Sequence, residues 1–104
     1  MSDTKITLYH AEWCGHCKHF LPQWDALTKF FDNKNISYED FEDGRDPDVV
    51  KKAGIEGFPT IRINKGGEEY DYIGERSVDA IIHELIPQAG GSESTRVYIK
   101  YTEV

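Results

Sequence analysis

Residues 13–18 read Trp13-Cys14-Gly15-His16-Cys17-Lys18, and they lie between a predicted strand and a predicted helix. The preceding segment, Ile6 to His10, alternates its side chains in the manner of a half-buried strand. From Gly15 to about Asn33, large apolar residues recur at spacings typical of one helix stripe, namely Phe20, Trp24, Leu27 and Phe31. Cys14 is therefore predicted at the N-terminus of a helix that directly follows a strand.

Past this helix, the pattern predicts three more strands and two more helices. The predicted strands are Ile36–Phe41, Ile55–Asn64, which is opened by Pro59, and Glu69–Ile73, and a hairpin turn at 65–68 joins the last two. The predicted helices are a short one with Asp46 as N-cap and Pro47 at its first position, and a longer one from the Ser77 cap to Pro87. The order β-α-β-α-β-β-α predicts an α/β fold with a mixed four-stranded sheet flanked by helices. Residues 1–87 form the predicted domain, and residues 88–104 form a Gly/Ser-rich linker and a C-terminal tail.

Length and charge limit the classes of function. A chain of 104 residues with 38% apolar and 12% aromatic residues has the size of one folded domain. Its 12 Lys and Arg stand against 19 Asp and Glu, and the net charge of -7 disfavours binding to nucleic acid or to an anionic membrane. The sequence shows neither a secretory signal pattern nor an ER-retention ending. We therefore expect a cytoplasmic protein, and we further expect a monomer.

The two cysteines of the chain, Cys14 and Cys17, indicate reversible chemistry. A disulfide between them closes a ring of four residues, which the loop-entropy formula credits with roughly 2 kcal/mol, the low end of what disulfides contribute. Small secreted domains that rely on disulfides for stability use more cysteines and longer loops. Stability is therefore a poor reason for this spacing, and a redox-active pair is a better one.

Thiol–disulfide exchange requires a thiolate, and an ordinary cysteine is mostly protonated at neutral pH. A helix N-terminus lowers a thiol pKa through its unpaired N–H groups and its positive dipole end, and Cys14 is placed to receive both. His16 can add a positive charge or a hydrogen bond to the thiolate. Cys17, one turn further in, is expected to be more buried and less ionised. Cys14 is thus the predicted nucleophile and Cys17 the thiol that resolves a mixed disulfide.

The motif Trp13-Cys14-Gly15-His16-Cys17-Lys18, followed by Pro22, resembles the active site of thioredoxin-fold oxidoreductases. Its Gly-His pair resembles the catalytic domains of protein disulfide isomerase in particular. Two later segments, Gly54–Thr60 and Tyr72–Arg76, resemble the cis-proline loop and the Tyr-x-Gly-x-Arg segment of that family. The resemblance covers about residues 5 to 87. It implies a short, glutaredoxin-length thioredoxin fold that acts as a disulfide oxidase, isomerase or reductase, with the direction left open.

The resemblance also assigns roles around the cysteine pair. It implies a cis Phe58-Pro59 bond that faces the cysteines, where the backbone of Phe58 pairs with an extended substrate segment. It implies that Trp13 is an exposed contact for cysteine-containing protein substrates, the alternative being a core aromatic, and it places Gly74 among the substrate-binding residues. No cofactor beyond the redox-active pair is expected, although glutathione stays possible as a co-substrate.

The sequence departs from the family at one position that matters chemically. The family carries a buried acid six residues before the first cysteine, where it exchanges protons with the second cysteine, and here that position is Leu8. Without that carboxylate, deprotonation of Cys17 is expected to be slower. We hypothesise that Glu12 or Asp40 partly substitutes for it through water.

Other classes of function stay open at this point. A metal or iron–sulfur site on Cys14, His16, Cys17 and His19 is disfavoured, because residues two apart on a helix point away from each other. A glutathione-dependent, glutaredoxin-like reductase is an alternative, although the glutaredoxin segment that follows the cis-proline hairpin is absent. A third alternative is a module that binds a substrate or a partner with little turnover. In such a module the tail at 88–104 could add a strand to the sheet or contact the partner.

Overall fold

The computed structural model describes residues 3–86, and in this range the predicted order of elements is confirmed. The strands are β1 (Thr4–His10), β2 (Ser37–Glu42), β3 (Thr60–Lys65) and β4 (Glu68–Asp71), and the helices are α1 (Gly15–Lys34), α2 (Pro47–Lys52) and α3 (Val78–Leu85). The predicted domain boundary at residue 87 and the predicted linker and tail at 88–104 lie outside the described residues.

The four strands form one mixed sheet in the order β2-β1-β3-β4. The central strand β1 runs parallel to β2 and antiparallel to β3, and β4 pairs antiparallel with β3. A parallel pair needs a crossover connection, and α1 supplies it between β1 and β2. Because parallel strands end at the same edge, the ends of β1 and β2 meet beside the start of α1.

The hydrophobic core lies between the sheet and the two longer helices. Alternate residues of the central strands are fully buried and paired across the ladder, Ile6 with Ile63 and Leu8 with Ile61. They pack with the buried stripes of α1 and α3, whose members are Phe20, Trp24, Leu27, Phe31, Ile81 and Leu85. The helix stripe inferred from sequence spacing is therefore the face of α1 that covers the sheet.

Local signals in the sequence account for most of the boundaries. Gly66 and Gly67 both adopt positive φ, 62° and 87°, between β3 and β4, as the tightest hairpin turns require. The Ser77 hydroxyl accepts a hydrogen bond of 3.2 Å from the Ala80 N–H, which confirms the predicted cap of α3. The third strand begins at Thr60, directly after Pro59, so the predicted strand over Ile55–Asn64 is wrong at its start: residues 55–59 form the loop that leads into the cis peptide bond.

Two further local predictions need correction. Asp46 does stand at the N-cap of α2, but its side chain makes no capping hydrogen bond. Its Oδ2 accepts instead from the Glu42 N–H at 3.1 Å and from the Arg45 Nε at 2.6 Å, so the carboxylate organises the loop before the helix. The fourth strand ends at Asp71 and not at Ile73, because the chain leaves the sheet for the bend that leads to α3.

Candidate redox site

Cys14 lies at the junction between β1 and α1, as the sequence predicts. Its backbone is extended, with φ -93° and ψ 118°, and it forms the N-cap of α1. The Cys14 N–H donates to the Ala11 carbonyl at 3.1 Å, which closes a tight turn after the strand, while the Cys14 carbonyl accepts from the Lys18 N–H at 3.2 Å. The side chain thus faces N–H groups of the first helical turn that have no partner within the helix.

The loop that carries Pro59 closes the site from the opposite side. The Phe58–Pro59 peptide bond is cis. The Cys14 Sγ donates to the Phe58 carbonyl oxygen at 3.4 Å, a contact across 44 residues of sequence. Phe58 also packs against the small buried cluster of Ala11, Cys14 and Cys17. The cis-proline loop therefore faces the cysteine pair, as the sequence resemblance implies.

The pKa of Cys14 is lowered from its ordinary value of 9.0. Burial acts to raise the pKa, since it disfavours the charged form, but several interactions outweigh it. The backbone N–H and the thiol of Cys17 hydrogen-bond to the thiolate, the backbone N–H of His16 does the same, and the Arg76 guanidinium attracts it. The helix start is therefore the main source of thiolate stabilisation.

The environment of Cys17 acts in the opposite direction. Burial raises the pKa of this thiol to about 11, although a hydrogen bond from the Ala11 N–H acts to lower it. Hydrogen bonding to Cys14 and the charge of the Cys14 thiolate raise it further. Only 1% of the Cys17 surface is exposed, against 8% for Cys14. The expected difference in burial and in pKa between the outer and the inner thiol is thus present in the structure.

Trp13 and Phe58 form an aromatic pair next to the cysteines. Trp13 is 70% exposed, so of the two alternatives for this residue the core aromatic is wrong, and its role as a substrate contact stays a prediction. Its ring meets that of Phe58 edge to face, with centroids 5.6 Å apart. An exposed aromatic side chain therefore stands beside the loop that carries the cis-proline.

Residues 72–76 contribute one side chain whose role the sequence alone did not indicate. Arg76 lowers the pKa of both cysteines by its charge, although it stands 62 residues away from Cys14 in the chain. The family-like segment Tyr72–Arg76 was the signal that could have identified it. Gly74 has a structural reason to be glycine, because an added Cβ would lie 2.5 Å from the Tyr72 hydroxyl oxygen. Its assignment to substrate binding stays a prediction.

His16 is exposed on the first turn of α1. Its backbone N–H is among the groups that lower the Cys14 pKa. The role given to its imidazole by the sequence analysis stays a prediction.

Similar known proteins support the thioredoxin-like fold that the cysteine pair and the cis-proline loop indicate. The family model described as Thioredoxin matches residues 2–86. The chain belongs to the thioredoxin family. Among its relatives, protein disulfide-isomerase A4 of Homo sapiens is 30% identical over 91 residues, which are 86% of this chain and 14% of that protein. Protein disulfide isomerase-like 2-2 of Oryza sativa subsp. japonica is 30% identical over 93 residues, 85% of this chain and 24% of that protein.

Solved structures show the same fold. The first thioredoxin domain of mouse protein disulfide-isomerase A4 superposes with a TM-score of 0.66 at 26% identity, over 97% of this chain and 74% of that one. The first two thioredoxin domains of Naumovozyma dairenensis Eps1p give 0.71 at 26% identity, over 81% of this chain and 34% of that one. The thioredoxin-like fold and the likeness to disulfide isomerase domains are confirmed. The chain spans at most 24% of the two curated relatives above.

The departure from the thioredoxin family at Leu8 is visible in the core. Leu8 is fully buried between the sheet and the helices. Of the two carboxylates considered as substitutes, Asp40 lies opposite Leu8 on the neighbouring strand β2 and hydrogen-bonds to the imidazole of His10 at 2.9 Å. Glu12 is exposed. His10 has no role predicted from the sequence, because a lone histidine at a strand end carries no signal.

Between residues 3 and 86, no helix is long and apolar enough to cross a membrane. Within the same range, no three His, Cys, Asp or Glu side chains converge in a way that could hold a metal ion.

Proposed function

We propose that the chain catalyses thiol–disulfide exchange on cysteine-containing protein substrates, using Cys14 and Cys17 as a redox-active pair and no further cofactor. The observation that carries this proposal is the opposed pair of thiol environments, in which the Cys14 pKa is lowered and the Cys17 pKa is raised to about 11. A disulfide that served only stability would need neither a lowered pKa at one thiol nor a raised pKa at the other. Such an asymmetry assigns one thiol to attack and the other to resolution.

In the reducing direction, the Cys14 thiolate attacks one sulfur of a substrate disulfide. A bond forms between Cys14 and that sulfur, and the second substrate sulfur leaves with the electron pair and takes up a proton. Cys17 then loses its proton and attacks the Cys14 sulfur, which forms the Cys14–Cys17 disulfide and releases the first substrate thiolate. The substrate gains two electrons and the pair loses them, and oxidation of a substrate is the same sequence reversed.

The neighbouring loop supports a polypeptide substrate. Phe58 presents its backbone beside the attacking sulfur, with its carbonyl 3.4 Å from Cys14 Sγ. An extended peptide that approaches this loop can pair with its backbone in the manner of strand addition. Trp13, 70% exposed, offers an apolar contact at the edge of the same site. These features suit a disulfide in a flexible or unfolded chain.

The test is turnover with protein disulfides. We expect substoichiometric amounts of the protein to accelerate reduction of insulin by dithiothreitol and reactivation of scrambled ribonuclease in a glutathione buffer. Cys14→Ser should abolish both activities, while Cys17→Ser should accumulate a mixed disulfide with the substrate. A matched control is Ser37→Ala, a small change at the exposed start of β2, which should retain activity. Substrate binding without turnover would contradict the proposal and establish a binding module.

A further inference from the structure

The resolving step needs a proton acceptor, and a hydrogen-bonded pair of side chains stands at the end of β1, one residue before Ala11, which packs with Cys17. His10 ends the central strand, and its Nε2 lies 2.9 Å from Asp40 Oδ2. The imidazole is well buried, with 12% of the side chain exposed. Asp40 is further paired with Arg45, whose Nη2 lies 3.4 Å from the same oxygen.

The position of His10 in the strand places it on the side of the sheet that α1 covers. Residues alternate along a strand, so His10 shares a face with Ile6 and Leu8, which both belong to the core under α1. Cys17 is buried on the first turn of that helix. The next residue after His10, Ala11, packs with Cys17 in one buried cluster. The imidazole therefore belongs to the residue that immediately precedes a neighbour of the inner thiol.

A cavity lies beside His10 and Ala11. It has a volume of about 370 Å³, and its walls are His10, Ala11, Glu12, Lys18, Leu21, Glu42 and Arg45. Ala11 packs with Cys17, and Lys18 follows Cys17 in the chain. The cavity therefore reaches two neighbours of the buried sulfur. A cavity of this volume has room for several water molecules, which can bond to the charged groups and the imidazole at its wall, and such water can carry a proton between the thiol and the ring.

The other charged groups around the cavity are poorer acceptors. Hydrogen bonds from the backbone N–H groups of Glu12, Gly44 and Arg45 hold the pKa of Glu42 below its ordinary value. Lys18 and Arg45 are cations at neutral pH. Glu12 is an exposed carboxylate at the rim. His10 is the only imidazole among the residues that line the described cavity, and an imidazole is the side chain most often used to accept and return a proton in catalysis.

The hydrogen bond to Asp40 also determines which ring nitrogen is free. A carboxylate only accepts hydrogen bonds, so the neutral ring carries its proton on Nε2 and keeps a lone pair on Nδ1. Once Nδ1 takes up a proton, the imidazolium is stabilised by the Asp40 carboxylate, which faces it from β2. The pair is therefore arranged to receive one proton and to hold it.

We propose that His10 accepts the proton of Cys17 during resolution of a mixed disulfide and that Asp40 positions and stabilises its ring, which replaces the buried acid missing at Leu8. The inference rests on the proposed function. The Cys17 S–H proton passes through cavity water to His10 Nδ1. The Cys17 sulfur then attacks Cys14, the Cys14–substrate bond breaks, and the departing substrate thiolate is protonated from the solvent or from the imidazolium.

The experiment isolates the resolving step. Reduced protein is mixed with a stoichiometric amount of Ellman's reagent so that Cys14 carries a thionitrobenzoate group, and release of the second coloured thiolate by Cys17 is followed by stopped flow. Replacement of His10 by Phe should lower this release rate at neutral pH about a hundredfold, at the low end of general-base effects. The remaining rate should increase with hydroxide concentration up to the pH range where Cys17 ionises unaided.

Three further measurements separate proton transfer from structure. The control His83→Phe changes an exposed histidine on α3 and should keep the wild-type release rate and pH profile. Asp40→Asn, which keeps the ring in place, should also slow release and shift the pH profile. Added imidazole should restore release in His10→Ala in proportion to its concentration.

Failure of the role of His10 and failure of the proposed function give different results in this experiment. Loading of Cys14 in the wild-type protein reports the outer thiol alone, and slow loading would overturn the proposed function. With fast loading, an unchanged pH profile of release in His10→Phe would overturn the role of His10. A His10→Ala variant that is folded by circular dichroism but not rescued by imidazole would overturn it as well.

Discussion

At the residue scale, the reactivity of Cys14 depends on groups that the sequence brings together from distant positions. The N–H groups of Cys17 and His16 follow from the predicted helix start. Arg76 does not follow from local pattern, and only the resemblance of its segment, Tyr72–Arg76, to the family could have indicated that its charge acts on the cysteines. The residue scale is therefore where the sequence was least informative about the site.

The contribution of Arg76 is testable by neutralising it. Arg76→Gln should raise the pKa of Cys14 and slow its reaction with a small disulfide at neutral pH. Because Arg76 is exposed and screened by solvent, we expect a decrease of roughly two- to fivefold that shrinks at high salt. The matched control Lys51→Gln removes one exposed positive charge from α2 and should leave the rate unchanged. Equal rates for the wild type and Arg76→Gln at low salt would contradict this role.

Gly74 provides a second test at this scale. An alanine Cβ would lie 2.5 Å from the Tyr72 hydroxyl oxygen, and that hydroxyl donates to the Glu75 carbonyl at 2.6 Å. Displacing the ring should cost about 1–3 kcal/mol in the free energy of unfolding. In a Tyr72→Ala background the same Gly74→Ala change should cost much less, as measured by urea denaturation of all four proteins. Equal costs in the two backgrounds would show that the close approach to Tyr72 is not the reason for the glycine.

At the element scale, the sequence predicted the helices and strands well because their signals are local. The stripe from Phe20 to Phe31, the Gly66–Gly67 turn and the Ser77 cap each depend on a few neighbouring residues. Asp46 shows the limit of such signals. A carboxylate before a helix can cap it or bind elsewhere, and the competing partners, Glu42 and Arg45, become available only once the preceding loop is folded.

The cap of α3 gives an element-scale prediction. Ser77→Ala removes the acceptor of the Ala80 N–H, and we expect a loss of about 1 kcal/mol in the free energy of unfolding, as is usual for N-caps. Asp46→Ala should not destabilise the first turn of α2, because Asp46 makes no capping hydrogen bond. It should instead make hydrogen exchange of the Glu42 N–H faster, because that N–H loses its acceptor. Hydrogen exchange measured by NMR distinguishes the two, and faster exchange at the first turn of α2 in Asp46→Ala would contradict this description.

At the scale of the whole molecule, the fold determines which residues share the site. The β1–α1 junction, the loop before β3 and the segment before α3 come from three separate parts of the sequence, and the family motifs identified all three. The His10–Asp40 pair was missed because it depends on the parallel register of β1 and β2, which places Asp40 opposite Leu8. Spacing along the chain cannot reveal a pair 30 residues apart whose members carry no motif.

The buried inner thiol couples the stability of the reduced protein to pH. In the unfolded chain Cys17 loses its proton around its ordinary pKa of 9.0, whereas in the folded protein it keeps the proton until about 11. The folded state then binds more protons than the unfolded state, so the free energy of unfolding falls as pH rises from about 9 to about 11. Below about 9 this contribution is fully present.

The Cys17→Ser variant is the matched comparison for this effect. Both proteins should lose stability above about pH 10, because burial also raises the pKa of Tyr70, to about 12. Only the reduced wild type should show the additional fall that begins near pH 9. Urea denaturation of the two proteins under reducing conditions measures the difference, and parallel curves between pH 9 and pH 11 would contradict the burial of a protonated Cys17.

The most direct test of the central claim is the pH dependence of alkylation at each cysteine of the reduced protein. Brief labelling with iodoacetamide, followed by peptide mass spectrometry, gives a separate titration curve for Cys14 and Cys17. We predict that Cys14 is labelled with a midpoint below 9.0 and that Cys17 stays largely unlabelled until about pH 11. A Cys14 midpoint at or above 9.0, or faster labelling of Cys17 at neutral pH, would contradict the account.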